Sequence, residues 1–255
     1  MAAVSSVMLA SAGAAPPVAG KEAKTLVAQG DAFRSNGQLT EALWAYRQAA
    51  KAGSVKGAFA AGEMLCSAGT NSRGRERILN LAEGVGDLLR AATNRLPQAC
   101  AELSSLLRTG VGVPTNLVAA YAWMELAAGQ DRSYKTELDQ LVIQMNPGEI
   151  QQAQDLAQEY SQGHWPTDLA RPVDQGDPRL KIKGITVGGR EATVIINRVT
   201  FTQGDTLEVV PESTPPHRVG GTLTVTCLKI GEDYVLVAVA GESHLKLLSS
   251  ADLLQ

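Results

Sequence analysis

Residues 110–129 read Gly110-Val-Gly112-Val113-Pro114-Thr-Asn116-Leu-Val-Ala-Ala120-Tyr-Ala-Trp123-Met-Glu-Leu-Ala127-Ala128-Gly129. Two glycines and a proline within five positions make a tight turn that no helix can run through. After Asn116 the period changes. Ala120, Trp123 and Ala127 recur at helical spacing, so small and large side chains share one face. The stretch is a turn followed by a close-packed helix.

Outward from this stretch the same pattern repeats. Leu103 and Leu107 mark a helix before the turn, so 99–129 forms a helical pair. An earlier pair spans about 23–54, with Leu26, Gly30 and Phe33 on its first helix and Ala42, Tyr46 and Ala49 on its second. A second copy carries Ala58, Gly62 and Leu65, but its return helix, ending near Leu89, Ala91 and Ala92, comes late. The extra segment, roughly 71–83, holds Arg73, Arg75 and Arg77. A last pair spans about 134–145 and 147–161. Asn146 before Pro147 is a good N-cap with proline at the first helical position. Self-similarity at a fixed period marks stacked helical repeats rather than an irregular bundle.

The third copy, with its Gly-x-Gly-Val turn, resembles a Sel-one-like repeat (SLR), a branch of the tetratricopeptide superfamily. The first copy resembles a complete tetratricopeptide motif, and the second departs from it through its late return helix. The resemblance implies an α-solenoid of about three repeats over 21–162, ending in a capping helix. It also implies a concave surface that holds extended peptides or helices. One tetratricopeptide subclass grips a terminal carboxylate, but Val27 and Asp31 stand at the first repeat's corresponding positions. An apolar and an acidic residue do not suit that ligand. Tyr46, Tyr121 and Trp123 fall in register with the solenoid core. Cys66 and Cys100 sit at levels about 12 Å apart along neighbouring first helices. A disulfide needs Cα atoms within about 7 Å, so two buried free thiols are expected.

The chain has 255 residues, 44% hydrophobic and only 4% aromatic, with a formal net charge of -3. Dispersed Lys and Arg give no nucleic-acid footprint, and no apolar run reaches the roughly 20 residues of a membrane helix. Residues 1–20 carry no charge and contain the small-x-small pattern Ala12-Gly13-Ala14 before Pro16-Pro17. They read as the end of a signal peptide or as a disordered tail. Localisation is accordingly expected to be periplasmic or secreted, with a cytoplasmic protein as the alternative.

Beyond a Pro/Gly/Asp-rich linker at 163–178 the period switches from 3.6 to 2. Leu180 and Ile182 alternate, Gly184 interrupts with a bulge signature, and Gly188-Gly189 signals a hairpin. Residues 192–197 read as a strand covered on both faces. Val199, Phe201, Leu207 and Val209 form a strand interrupted at Gly204-Asp205. After a loop at 211–221 with Pro215-Pro216, three strands alternate through Leu223–Cys227, Val235–Val239 and Leu245–Leu247. Six short strands over 179–250 imply a small bent sheet or open barrel. The Gly184-Ile185, Ile195-Ile196-Asn197 and Phe201-x-x-Gly204-Asp205-x-Leu207 stretches are similar to small periplasmic domains of type II secretion and type IV pilus assembly proteins; the other reading is a generic β-adaptor. No apolar run in 1–255 is long enough for the transmembrane anchor usual in those proteins.

Catalytic signatures are lacking. His164, His217 and His244 are far apart and read as surface residues. Gly241-Glu-Ser243-His-Leu245 lacks the second glycine of a nucleophile elbow and reads as a turn. Gly184, Gly188 and Gly189 precede neither Lys-Ser/Thr nor a helix, so they make no phosphate loop. Arg73, Arg75 and Arg77 read as an exposed helix start, with anion binding as the alternative. Glu232-Asp233 is an ordinary solvated turn. No catalytic, cofactor or metal residues are assigned, and no partner-binding residue can be named.

Together these readings predict an α+β protein: an all-α solenoid followed by a separate small β-domain. The expected function is a non-enzymatic protein–protein interaction scaffold, an adaptor in a secretion or pilus system. The alternatives are an exported cell-wall or β-lactam hydrolase of the SLR type and a cytosolic SLR regulator. The expected partners are proteins or peptides.

Overall fold

A computed structural model describes residues 17–166, 169, 173–188, 191–211 and 221–249. The signal-peptide pattern, Gly189, Pro215-Pro216 and His217 lie outside the described residues. The architecture is α+β, with helices first and two sheets after them. The chain divides into two compact units, Met1–Ala61 and Gly62–Gln255.

In the first unit, α1 (Pro17–Ser35) and α2 (Leu39–Lys51) form the first hairpin, and α3 (Val55–Asn71) begins. Ala42, Ala45, Tyr46 and Ala49 line the buried face of α2. The Tyr46 ring lies on Gly30, where an added Cβ would stand 2.5 Å from it. Its hydroxyl donates to Asp31 Oδ1 at 2.6 Å. Asp31, at the position where a carboxylate clamp would need a different residue, therefore anchors a core tyrosine.

The second unit takes up the rest of α3 and continues through α4 (Gly74–Thr93), α5 (Pro97–Thr109), α6 (Leu117–Gln130), α7 (Lys135–Ile143) and α8 (Pro147–Ser161). In the second repeat the structure differs from the sequence expectation. Its return helix is not late: α4 starts at Gly74 and absorbs most of the supposed extra segment. Leu81, Val85, Leu88 and Ala92 give α4 one continuous buried stripe, and the three arginines had masked its first turn. Asn116 caps α6 by accepting from the Ala119 amide at 2.9 Å. Asn146 and Glu149 close a reciprocal capping box at the start of α8. Trp123 is fully buried in α6. Its ring lies 4.8 Å from Tyr160 of α8 and stacks on Trp165 at 5.6 Å and 6°. Trp165, read from sequence as linker, is thus half-buried against the helical core.

Eight strands are described rather than six. The sheets are β1 (Val173–Gln175), β8 (Leu245–Ser249), β7 (Tyr234–Val239), β6 (Leu223–Ile230) and β5 (Thr206–Val209), in that order, and β2 (Ile182–Thr186), β3 (Thr193–Ile196) and β4 (Val199–Thr202). They do not close into a barrel. β1 comes from the supposed linker and pairs parallel with β8. Three residues are too few to show a period, so sequence alone hides it. The bulge at Gly184 is present as a register shift between Ile182 and Gly184. β3 is covered on one face only: Val194 and Ile196 are buried, whereas Ile195 is 39% exposed. Ile182, Val194, Ile196 and Phe201 meet Val225, Val237 and Leu248 in one core. The interruption at Gly204-Asp205 passes the chain from the small sheet to the large one. Asp205 stabilises it by accepting from the Thr202 amide at 2.6 Å and the Thr202 hydroxyl at 2.9 Å.

Asn197 ends β3 rather than extending it. It has φ 56°, a conformation that asparagine tolerates better than most residues. Its Oδ1 accepts from the Lys181 amide at 2.8 Å, and its Nδ2 donates to Arg179 and Val210 carbonyls at 3.0 and 2.7 Å. One side chain ties together three chain segments. Asn197→Ala is expected to lose about 2–4 kcal/mol, from the lost hydrogen bonds and the strained φ. Asn197→Gly, which keeps the φ, should lose less. Equal unfolding midpoints for the two variants in urea would show that backbone conformation contributes nothing there.

All three cysteines are buried and unpaired. Burial pushes the Cys66 and Cys100 thiols up to about 12, with Glu102 and Asp87 adding to the effect at Cys66. Burial, then Asp205, pushes Cys227 up to about 11. Raised folded-state values favour the folded protein while the thiols are protonated. That contribution is complete below the unfolded thiol value of about 8.5. It is lost as pH rises from there toward about 12. Stability should therefore be flat near neutrality on this account and fall from about pH 9 upward. A thiol reagent at pH 8 should leave the native protein unlabelled and titrate three groups after denaturation without reductant. A single denatured thiol would reveal a disulfide.

Candidate functional site: an apolar cleft in the second unit

The five-stranded sheet packs one face on the small sheet and turns part of the other toward α4. One face carries Val225, Val237 and Leu248 toward the small sheet. Leu236 and Leu245 point the other way and line a cleft of about 580 Å³ with Ile78 and Leu81 of α4. This explains why Tyr234–Val239 is almost continuously apolar: its inward residues are buried and its outward ones buried or half-buried. Arg75 joins the layers directly, donating from Nη1 to the Ser249 hydroxyl of β8 at 3.0 Å.

The third wall of the cleft is the turn at 110–114. Gly110 closes α5 in the left-handed conformation with φ 74°, and Gly112 follows with φ 77°. A Cβ on Gly112 would come within 3.0 Å of Leu81 Cβ. Glycine is needed there both for the positive φ and for the close approach to α4. Val113 is buried, while Pro114 stays exposed at the mouth. The turn therefore does more than reverse the chain: it shapes an apolar surface.

Among the described residues the charged side chains lining the cleft are Arg77 and Lys229, both cationic. Arg77 is held by donating from Nη1 to the Thr70 carbonyl at 3.0 Å. Lys229 follows a register shift in β6 between Cys227 and Lys229. On a regular strand Leu228 and Lys229 would point to opposite faces. The bulge sets both on the cleft. Leu228 remains 38% exposed.

The three arginines thus divide. Arg73 is exposed at the N-cap of α4. Arg75 and Arg77 are half-buried against the β-region rather than forming a free helix start. His244 is half-exposed and lies 2.9 Å from Asp174 in a charged network along β1 and β8. Lys246 bridges Asp174 at 2.7 Å and Glu242 at 3.0 Å, and Arg179 bridges Asp177 at 2.7 Å and Glu242 at 2.5 Å. The Lys246 and His244 hydrogen bonds hold Asp174 below the usual carboxylate range. Burial works against ionisation of Asp177, but its Arg179 contacts prevail and lower it. These groups satisfy one another and fasten 173–179 to the end of the sheet. His164 is exposed at the end of the helical region. Among the described residues no His, Cys, Asp and Glu cluster could hold a metal, and no helix is long and apolar enough to cross a membrane.

No family model matches this sequence, and no curated protein matches it. A solved structure does. It is a protective antigen present in uropathogenic Escherichia coli strains and displaying an SLR fold, 22% identical with a TM-score of 0.50. The match covers 57% of this chain. This chain carries an SLR-like helical repeat. It spans about a third of the antigen's length, the match covering 31% of that chain.

Proposed function

We propose that the protein is a non-enzymatic interaction scaffold that holds other proteins on its helical repeats and on the cleft beside them. It is exported and serves as an adaptor in a secretion or pilus-assembly system. The observation that carries the scaffold reading is the cleft. An SLR-like turn and the outer face of a β-sheet together leave an apolar surface open to solvent, the kind of surface that marks interaction sites. The SLR-like fold supports the same reading, because solenoids expose broad surfaces suited to binding. The adaptor role rests on the resemblance of the β2–β5 sequences to secretion-system domains. Export rests on the small-x-small pattern ending at Ala14.

Deleting the β-region would be a poor test, because Gly62–Gln255 is one compact unit. A photo-cross-linking side chain placed at Leu228, and separately at Trp44, leaves the core intact. Trp44 is 58% exposed on α2 of the first unit. In the native cell each is expected to capture a discrete protein, and the adaptor role predicts a secretion or pilus component. Capture of no discrete protein at either position would count against the scaffold. A full-length cytosolic product would rule out export.

A further inference from the structure

We propose that the cleft is selective, and that its ligand is a short protein segment with leucine-like side chains next to carboxylates. This rests on the scaffold reading above. Three observations point to that chemistry. First, the floor is apolar: Ile78, Leu81, Val113, Leu236 and Leu245 offer hydrocarbon and few polar groups. Second, both charged lining residues among the described residues, Arg77 and Lys229, are cations, and no acid among the described residues lines the cleft beside them. Third, the β6 bulge places Leu228 and Lys229 side by side on the same wall. That pair presents an apolar contact and a cation to adjacent groups of a ligand. A volume of about 580 Å³ is in the range of sites that bury a small ligand or a few residues.

The same chemistry would suit an anionic lipid, but the charge balance favours a peptide. Membrane-surface recognition uses clusters of about four to eight cations. Among the described residues this cleft has two, on a chain of net charge -3. A carboxylate-bearing segment needs only the local pair. Arg77 keeps further N–H donors beyond the one given to Thr70, since a guanidinium has five.

The test uses the full chain and three labelled octapeptides read by fluorescence anisotropy: alternating Leu and Asp, alternating Leu and Lys, and alternating Ser and Asp. The Leu/Asp peptide should bind best. Lys229→Glu should weaken it at least about tenfold and turn the preference toward Leu/Lys. Leu228→Ser should weaken both leucine peptides. Both positions are exposed, and an unchanged circular dichroism melt would confirm intact folding. The proposal is overturned if Leu/Asp does not bind, if Ser/Asp binds equally well, or if Lys229→Glu leaves the preference unchanged. Phosphatidylglycerol vesicles that bind in a Lys229-dependent way while the peptides do not would replace it with a lipid site. Proteins captured at Trp44 in the native cell would leave the scaffold reading standing even then. The two failures are therefore separable.

Discussion

Replacing Gly84 with leucine is expected to abolish cooperative folding of the second unit. A Cβ at Gly84 would stand 2.7 Å from Cys66 Sγ, 2.9 Å from the Cys66 amide nitrogen and 3.0 Å from the Gly62 carbonyl oxygen. The reciprocal position is as tight: a Cβ on Gly62 would meet the Gly84 carbonyl oxygen and Leu88 amide nitrogen at 2.9 Å. Two of the three obstructions at Gly84 are backbone, so no rotamer change relieves them. Helices α3 and α4 would have to separate, opening the stripe of Leu81, Val85 and Leu88. Overpacking commonly costs about 1–3 kcal/mol where side chains can shift. With backbone in the way the cost should reach about 4 kcal/mol or more, a large share of the roughly 5–15 kcal/mol that holds a domain folded. Gly84→Ala should show a smaller loss in the same direction. Urea unfolding followed by circular dichroism measures both. A leucine variant with a wild-type midpoint would mean that the helices do not cross here as described.

Trp123→Ala should cost about 3–5 kcal/mol, the usual range for removing a large aromatic from a core. Trp123 is fully buried and touches two aromatic rings. Among the described residues its indole N–H has no hydrogen-bond partner, so the loss is one of packing and contact with Tyr160 and Trp165. The variant also has a spectroscopic consequence. Trp165 lies past the end of α8 and is held by the Trp123 stack. Without that ring its fluorescence should become more accessible to acrylamide. Trp123→Phe keeps an aromatic surface and should lose less on both measures. Unchanged quenching of Trp165 in the alanine variant would mean that something other than the stack holds it.

Much of the helical architecture is legible because each signal is local. Asn146-Pro147 and Glu149 contain a complete capping instruction, and the structure forms it. The 110–129 stretch contains both its turn and the small-large face of α6. The bulge at Gly184 is equally local, since a break in alternation records it. Other features depend on partners far away in sequence. β1 is too short to declare itself and exists because β8 offers an edge. Trp165 looks like linker because its neighbours are Pro and Gly, yet it stacks on Trp123, 42 residues earlier, at the edge of the core. Asn197 looks like the end of an apolar run; its role comes from carbonyls at 179 and 210 and an amide at 181. Arg75 and Arg77 read as a solvated helix start because nothing in 71–83 reveals the sheet that covers them.

The candidate site follows the same division. Gly112 and Pro114 announce a turn in any context. Whether that turn is exposed or forms a wall depends on Leu81 and the sheet beyond it. Leu228 and Lys229 are adjacent, and alternation would send them to opposite faces; only the bulge in the paired β6 places both on the cleft. The sequence alone determined the helical repeats, their turns and caps, and the change to strands, because hydrophobic period and backbone preference act within a few residues. Tertiary structure decided the cleft, the aromatic stack and the parallel β1–β8 pair. These depend on contacts between distant segments, whose free energy is realised only when the folded chain brings them together.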